Sequence, residues 1–160
     1  MKDEFQNLLD VVNYEIEMFL GTQILRKHKV VAGISDKTMQ LFLNNALSES
    51  QILHIRVLAE IFLLNVGRKT DVKIDNVLPT WRQENASIIQ ELEDIYKTPL
   101  DTGMSPKDYI DKRIAHATPN CRGRFNWSPV IQKMNSPLVN VIWALPNDIR
   151  FPSLMFLNLI

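Results

Sequence analysis

The stretch from Ser35 to Val66 constrains the fold most, because it is long, apolar and free of proline and glycine. Ser35 with Asp36 provides an N-cap and Gly67 provides a C-cap, so the pattern predicts one long helix. At 100° per residue, one broad apolar arc contains Leu43, Ala46, Leu47, Leu53, Val57, Leu58 and Ile61. A helix that is apolar over so much of its surface is typical of the centre of a bundle. We therefore expect this helix to be central and largely buried.

Four polar residues share the opposite arc of the same helix, within about 60° of one another. They are Asn45, Glu49, Arg56 and Glu60, and we call them the polar seam. Ala59, Phe62 and Leu63 lie on that arc as well, so the charges have apolar neighbours. Charges in such surroundings need partners, so we expect Arg56 to pair with Glu49 or Glu60.

Apolar residues recur with helical spacing in four further segments. Helices are expected over Asp3–Lys29, Asn85–Lys97, Ser105 to just before Pro119, and Ser128–Leu145. Pro137 predicts a break or kink inside the last of them. We expect residues 67–84 to form an ordered loop that is pinned by Trp81. The sequence thus predicts an all-α, up-and-down bundle of about five helices.

Composition indicates one globular domain over residues 1–160. Lys+Arg equals Asp+Glu at 18 each, so no global field recruits nucleic acid or a membrane. The single Cys121 excludes an intrachain disulfide, and the N-terminus lacks the pattern of a secretory signal. No run approaches the ~18 apolar residues of a membrane span, so a cytoplasmic protein is expected.

The last ten residues, Phe151 to Ile160, are strongly apolar. Such a tail would favour aggregation if it stayed in water. We therefore expect it to dock on its own domain or on a second copy of the chain. Self-association as a homodimer is the interpretation that we carry forward.

The usual patterns of cofactor and metal sites are missing from the sequence. The chain has His28, His54 and His116 and no second cysteine, in spacings that match neither a zinc site nor a helical di-iron site. The five glycines form no phosphate-binding loop. We expect no metal and no cofactor.

The segment that begins at Lys112 carries the remaining candidate chemistry. Lys112 and His116 are four residues apart and share a helix face, and Arg122 follows in the next loop. If these residues converge beside Arg56, they would bind an anion such as phosphate. The His116 imidazole would then be a candidate general acid or base in phosphodiester cleavage. The alternative is that His116 caps a helix C-terminus and Arg56 is paired within the seam.

Several positions, taken in order, resemble HEPN-like bacterial proteins, which are helical bundles named for a nucleotide-binding domain of higher eukaryotes and prokaryotes. The positions are Asn45–Glu49, Leu53–Leu58, Asp71, Val72, Trp81, Lys112–Thr118, Arg122 and Trp127. The resemblance implies an all-α bundle, often dimeric, in a superfamily rich in RNA-cleaving toxins and antiviral factors.

One departure concerns the catalytic motif of that family, in which four to six residues separate an arginine from the histidine that follows it. Counting back from His116, the matching positions hold Asp111, Ile110 and Tyr109, so the strict ribonuclease motif is missing. The resemblance favours a nucleotide- or RNA-phosphate-binding domain, defence or toxin related, with Arg56, Lys112, Arg122 and Glu49 as binding residues. Two alternatives stay open. One is a non-catalytic dimeric interaction module with a structural seam, and the other is a residual metal-independent ribonuclease that uses His116.

Overall fold

Eight α-helices and one 3-10 turn make up most of residues 2–64, 71–114 and 126–150, which are the residues that the computed structural model describes. The helices are α1 (Lys2–Lys27), α2 (Lys37–Leu63), α3 (Ile74–Val77), α4 (Trp81–Glu84), α5 (Ala86–Lys97), α6 (Pro106–Ile114), α7 (Ser128–Trp143) and α8 (Asn147–Arg150), and the 3-10 turn is Val30–Gly33. These three ranges contain no strand. The predicted all-α fold is confirmed.

Helix α2 is the central element, since it contacts α1, α5, α6 and α7. It begins at Lys37 because the Asp36 carboxylate accepts hydrogen bonds from the backbone N–H of Thr38 (2.8 Å) and Met39 (3.0 Å). It ends at Leu63. The predicted bounds, Ser35 to Val66, are therefore slightly too wide at both ends, since Leu64 is already extended. Val66 and the predicted C-cap Gly67 lie outside the described residues.

Burial along α2 differs from the expectation. Its buried residues all lie between Gln51 and Phe62, and within that half Ile52, Ile55 and Leu58 are fully enclosed. The half that precedes Gln51 contains no buried residue and is mostly exposed, and Phe42 is 74% accessible. The prediction of a largely buried helix is wrong for this half. Periodicity shows which side chains share a face, but other helices decide which face is covered.

The segment between α2 and α5 contains two single-turn helices, where a loop was expected. Hydrogen bonds from Leu78 N–H to the Ile74 carbonyl (2.7 Å) and from Asn85 N–H to the Trp81 carbonyl (3.0 Å) close α3 and α4. Trp81 is buried, and its Nε1–H donates to the Ala144 carbonyl (3.0 Å). The expectation that Trp81 pins this segment is confirmed.

The last helices follow the predicted starts but not the predicted break. In α6, Ser105 Oγ accepts from the Asp108 N–H (3.1 Å) and donates to the Asp108 carboxylate (2.8 Å), which is an N-cap pair. Helix α7 runs through Pro137 without interruption. Proline at this position removes a bond to the carbonyl of Lys133, and solvent reaches that exposed residue.

The part of α6 expected beyond Ile114 and the apolar tail 151–160 lie outside the described residues. Of the helices that the structure describes, none has the length and apolar character needed to cross a membrane.

Candidate functional site

Arg56 of the polar seam lies in a chain of four charged side chains that joins α2 to α6. Its Nε donates to Glu60 Oε1 (3.0 Å), and its Nη2 lies 3.7 Å from Asp111 Oδ1. Asp111 Oδ2 in turn accepts from Lys107 Nζ (2.7 Å). The predicted pairing of Arg56 with Glu60 is confirmed. The side chains of Arg56 and Glu60 are 30% and 49% exposed, so the pair lies at the surface rather than in the core.

Two groups at this chain of charges, Tyr96 and Lys107, have raised pKa values. The phenol of Tyr96 is buried beside it, and burial, followed by the negative charges of Asp111 and Glu60, raises the pKa of Tyr96 above its ordinary value. The hydrogen bond to Asp111 also raises the pKa of Lys107. Arg56 is therefore already neutralised by carboxylates, and a phosphate would have to compete with them for its guanidinium.

The other predicted binding residues are placed as follows. Lys112 is exposed on α6, with Nζ 3.7 Å from Met104 Sδ, and it follows Asp111, which contacts Arg56. Glu49 is exposed on α2. His116 and Arg122 lie outside the described residues. Convergence of the cluster therefore stays a prediction.

A second feature, which the sequence did not predict, is an apolar surface on the outer side of the α1–α2 hairpin. We call it the hairpin face, and it consists of Val11, Tyr14, Met18 and Leu25 of α1 with Met39, Phe42, Leu43, Ala46, Leu53 and Val57 of α2. All of these side chains are exposed except that of Val57, which is half-buried.

The two helices contribute to one continuous surface. Val11 and Val57 line the same surface depression. The ring of Tyr14 contacts the ring of His54 edge-on, with centroids 6.0 Å apart. Near the other end, Leu25 of α1 and Leu47 of α2 line a second depression. The hairpin face therefore crosses from α1 to α2 along much of the length of both helices.

Beneath this face a polar pair joins the two helices. His54 Nδ1 lies 2.6 Å from Glu15 Oε2, and the two side chains are 6% and 13% exposed. The residues are 39 positions apart, and sequence spacing gave no link between them. The sequence does show that each is a polar residue within an apolar helical stretch, which indicates that each needs a polar partner.

Clusters of three or more His, Cys, Asp or Glu side chains suited to a metal ion do not occur in the part of the chain that the structure describes. Comparison with protein-family models, with curated proteins and with solved structures gives no match to this chain.

Proposed function

We propose that this protein is a helical interaction module that works as a homodimer, with the hairpin face as its interface. The observation that carries the proposal is the exposure of large apolar side chains along two adjacent helices, with Phe42 and Tyr14 at 74% and 53% accessible. Monomeric proteins rarely expose contiguous apolar patches of this kind, and such patches mark interaction surfaces.

The spacing of these residues indicates that the partner is helical. On α2, Met39, Ala46 and Leu53 are seven residues apart, and on α1 Val11, Met18 and Leu25 repeat the same interval. A seven-residue apolar repeat is the pattern by which helices pack side by side, with the side chains of one fitting between those of the other.

The size of the face suits a dimer. At 1.5 Å rise per residue the stripe from Met39 to Val57 is about 27 Å long, and two adjacent helices are about 20 Å wide. The projected area is therefore about 540 Å², and the accessible area of side chains that stand on it is larger. A stable interface buries about 800 Å² on each partner, which this face approaches.

A second copy is the occupant that the charges favour. The ten side chains that define the hairpin face are uncharged, and Glu15 beneath it is held by His54. Charged side chains stand at its edge, because Arg56, Glu60 and Asp71 also line the depression described above. The centre of the face therefore opposes no like charges when two hairpins meet about a twofold axis, and its edge carries charges of both signs.

Sedimentation velocity over a wide concentration range tests this proposal. We expect a reversible dimer for the wild type, and at least a tenfold weaker dimer for Leu53→Arg, because the substitution places a charge at the centre of the face. Gln132→Arg adds the same side chain at an exposed position of α7 and should leave the dimer unchanged. A monomer at all concentrations would overturn the proposal.

We also propose, as a second candidate, a nucleotide- or RNA-phosphate-binding domain of HEPN type. Its support is the position of Asp111 on α6, whose carboxylate lies 3.7 Å from Arg56 of the polar seam. Lys112 follows Asp111 directly, and His116 and Arg122 come next in the sequence. A cluster of these cations would bind phosphate through charge-assisted hydrogen bonds.

Titration of labelled single-stranded RNA and of ATP tests the second candidate. Binding should weaken at high salt and in Lys112→Ala and Arg122→Ala, whereas His116→Ala should affect any metal-independent cleavage of RNA more than binding. Gln132→Ala is the control variant. If wild type binds neither ligand at low salt, this candidate is removed and the interaction module stands alone.

A further inference from the structure

A cleft of about 610 Å³ opens between the second half of α1, the middle of α2 and the second half of α7. We call it the α7 cleft, and it is lined by Leu20, Gln23, Ile24, Arg26, Lys27, Gln51, Asn135, Val139 and Trp143. Its volume falls within the range of small-molecule sites, about 300–1,000 Å³. It shares no residue with the hairpin face, so an activity here is separate from dimerisation.

Two buried polar atoms in the inner wall of the α7 cleft have no hydrogen-bond partner among the described residues. Gln51 is completely buried, and its Nε2 donates to Asn135 Oδ1 (3.0 Å), but its Oε1 finds no partner among the described residues. Gln23 Nε2 is also buried, and it too has no acceptor within the described ranges. An unpaired buried polar group costs free energy, and two in the wall of one cleft call for a ligand that supplies an acceptor and a donor.

The mouth of the cleft is positive and partly aromatic. Arg26 and Lys27 form the last turn of α1, and Arg26 is steadied by a hydrogen bond from Nη1 to Ser48 Oγ (2.7 Å). Trp143 contributes a half-exposed ring from α7. Two cations and no carboxylate are found among the residues that line the cleft, all of which are described. An anionic group is therefore favoured at this end.

We propose that the α7 cleft binds an organic anion that combines a carboxylate, a secondary amide and an apolar body, which is the chemistry of an N-acylated apolar amino acid. The carboxylate pairs with Arg26 and Lys27 at the mouth. The amide N–H donates to Gln51 Oε1, and the amide carbonyl accepts from Gln23 Nε2. The apolar body packs on the aliphatic and aromatic part of the lining, which consists of Leu20, Ile24, Val139 and Trp143.

Isothermal titration with N-acetyl-L-phenylalanine tests the proposal. Two comparators each remove one element: N-acetyl-L-phenylalanine amide lacks the carboxylate, and 3-phenylpropanoate lacks the amide. We expect N-acetyl-L-phenylalanine to bind and each comparator to bind at least tenfold more weakly. The first comparator leaves the two cations at the mouth unpaired, and the second leaves the two glutamine side chains unpaired.

Variants locate the binding. Gln23→Met keeps the length of a half-buried side chain but removes the amide, and it should weaken binding at least fivefold. Gln132→Met makes the same change at an exposed position of α7 and should bind as wild type. The proposal would be overturned if N-acetyl-L-phenylalanine did not bind at millimolar concentration or if the comparators bound equally well. It would also be overturned if Gln23→Met bound as wild type or if adenosine monophosphate bound more tightly. Thermal melting of every variant confirms that it is folded.

Discussion

Glu15 and His54 meet across the α1–α2 contact, with Oε2 and Nδ1 2.6 Å apart and both side chains nearly buried. The pair lies directly beneath the hairpin face, where the ring of Tyr14 contacts the imidazole. Either side chain alone would place an unpaired polar group in the apolar contact between α1 and α2. The two helices therefore have to pack so that Glu15 and His54 meet. The geometry of the hairpin face therefore depends on this pair.

The first prediction concerns the strength of this pair. A double-mutant cycle with Glu15→Ala, His54→Ala and the double variant should give a coupling energy of about 1.5–3 kcal/mol, the range for hydrogen bonds to charged groups. Urea unfolding measures it. The exposed pair Gln6 and Asp10, hydrogen-bonded at 2.8 Å, is the matched control and should couple by less than about 0.5 kcal/mol. Equal coupling in the two cycles would contradict the interpretation.

The second prediction concerns Arg56. The sequence suggested a buried pair, whose disruption costs about 3–5 kcal/mol. The observed exposure of Arg56 and Glu60 changes that expectation, and Arg56→Met should lower the free energy of unfolding by at most about 1 kcal/mol. Lys97→Met, which breaks the exposed pair with Glu93 on α5, is the control and should behave alike. A loss near 3 kcal/mol for Arg56→Met alone would show that the seam is shielded.

The Arg56–Glu60 and Glu15–His54 pairs differ in whether the sequence alone could predict them. Arg56 and Glu60 are four residues apart on one helix, and that local spacing predicted their contact. Glu15 and His54 lie on different helices, and only the packing of α1 against α2 brings them together. The burial expected for the Arg56 pair was wrong because burial is set by which elements cover a face.

The hydrogen bonding of Trp81 and Gln51 illustrates the same limit. Trp81 was expected to pin its segment because a large aromatic residue between proline and helix signals usually reaches the core. Its acceptor, the Ala144 carbonyl, is 63 residues away and could not be inferred. Nothing in the local sequence distinguishes Gln51 from the other polar positions of α2. The structure shows that it is buried, that its Nε2 reaches Asn135 of α7 and that its Oε1 has no partner among the described residues.

The third prediction concerns alkaline pH. The pKa of Tyr96 is raised in the folded protein, so between the ordinary tyrosine value of about 10 and that higher value the unfolded chain has lost a proton that the folded chain keeps. The unfolded state then binds fewer protons, and stability falls as pH rises, by at most about 1.4 kcal/mol per pH unit for this group. Lys107, whose pKa is also raised, adds a decline of the same sign.

Tyr96→Phe isolates the tyrosine contribution, because it removes the ionising group and leaves Lys107 in place. We expect the variant to lose less stability than wild type between pH 7 and pH 10.8 in urea unfolding, with the pH 7 value of each protein as its own reference. Parallel declines in the two proteins would mean that Tyr96 ionises as readily in the folded state as in the unfolded chain.

The last prediction separates the two proposed functions by their response to salt. The ten side chains of the hairpin face are uncharged and the charged residues stand at its edge, so apolar contact should supply most of the stability of the dimer. Screening acts on charges, and raising sodium chloride from about 0.05 to 0.5 M shortens the Debye length without weakening apolar burial. The dimer dissociation constant should therefore change by less than about threefold over this range, whereas binding to RNA phosphates should weaken by orders of magnitude. Sedimentation velocity at both salt concentrations measures the first quantity, with Leu53→Arg as the variant that should dissociate at both. A dimer that falls apart at 0.5 M salt would place charged side chains in the interface and exclude the hairpin face as its main contact.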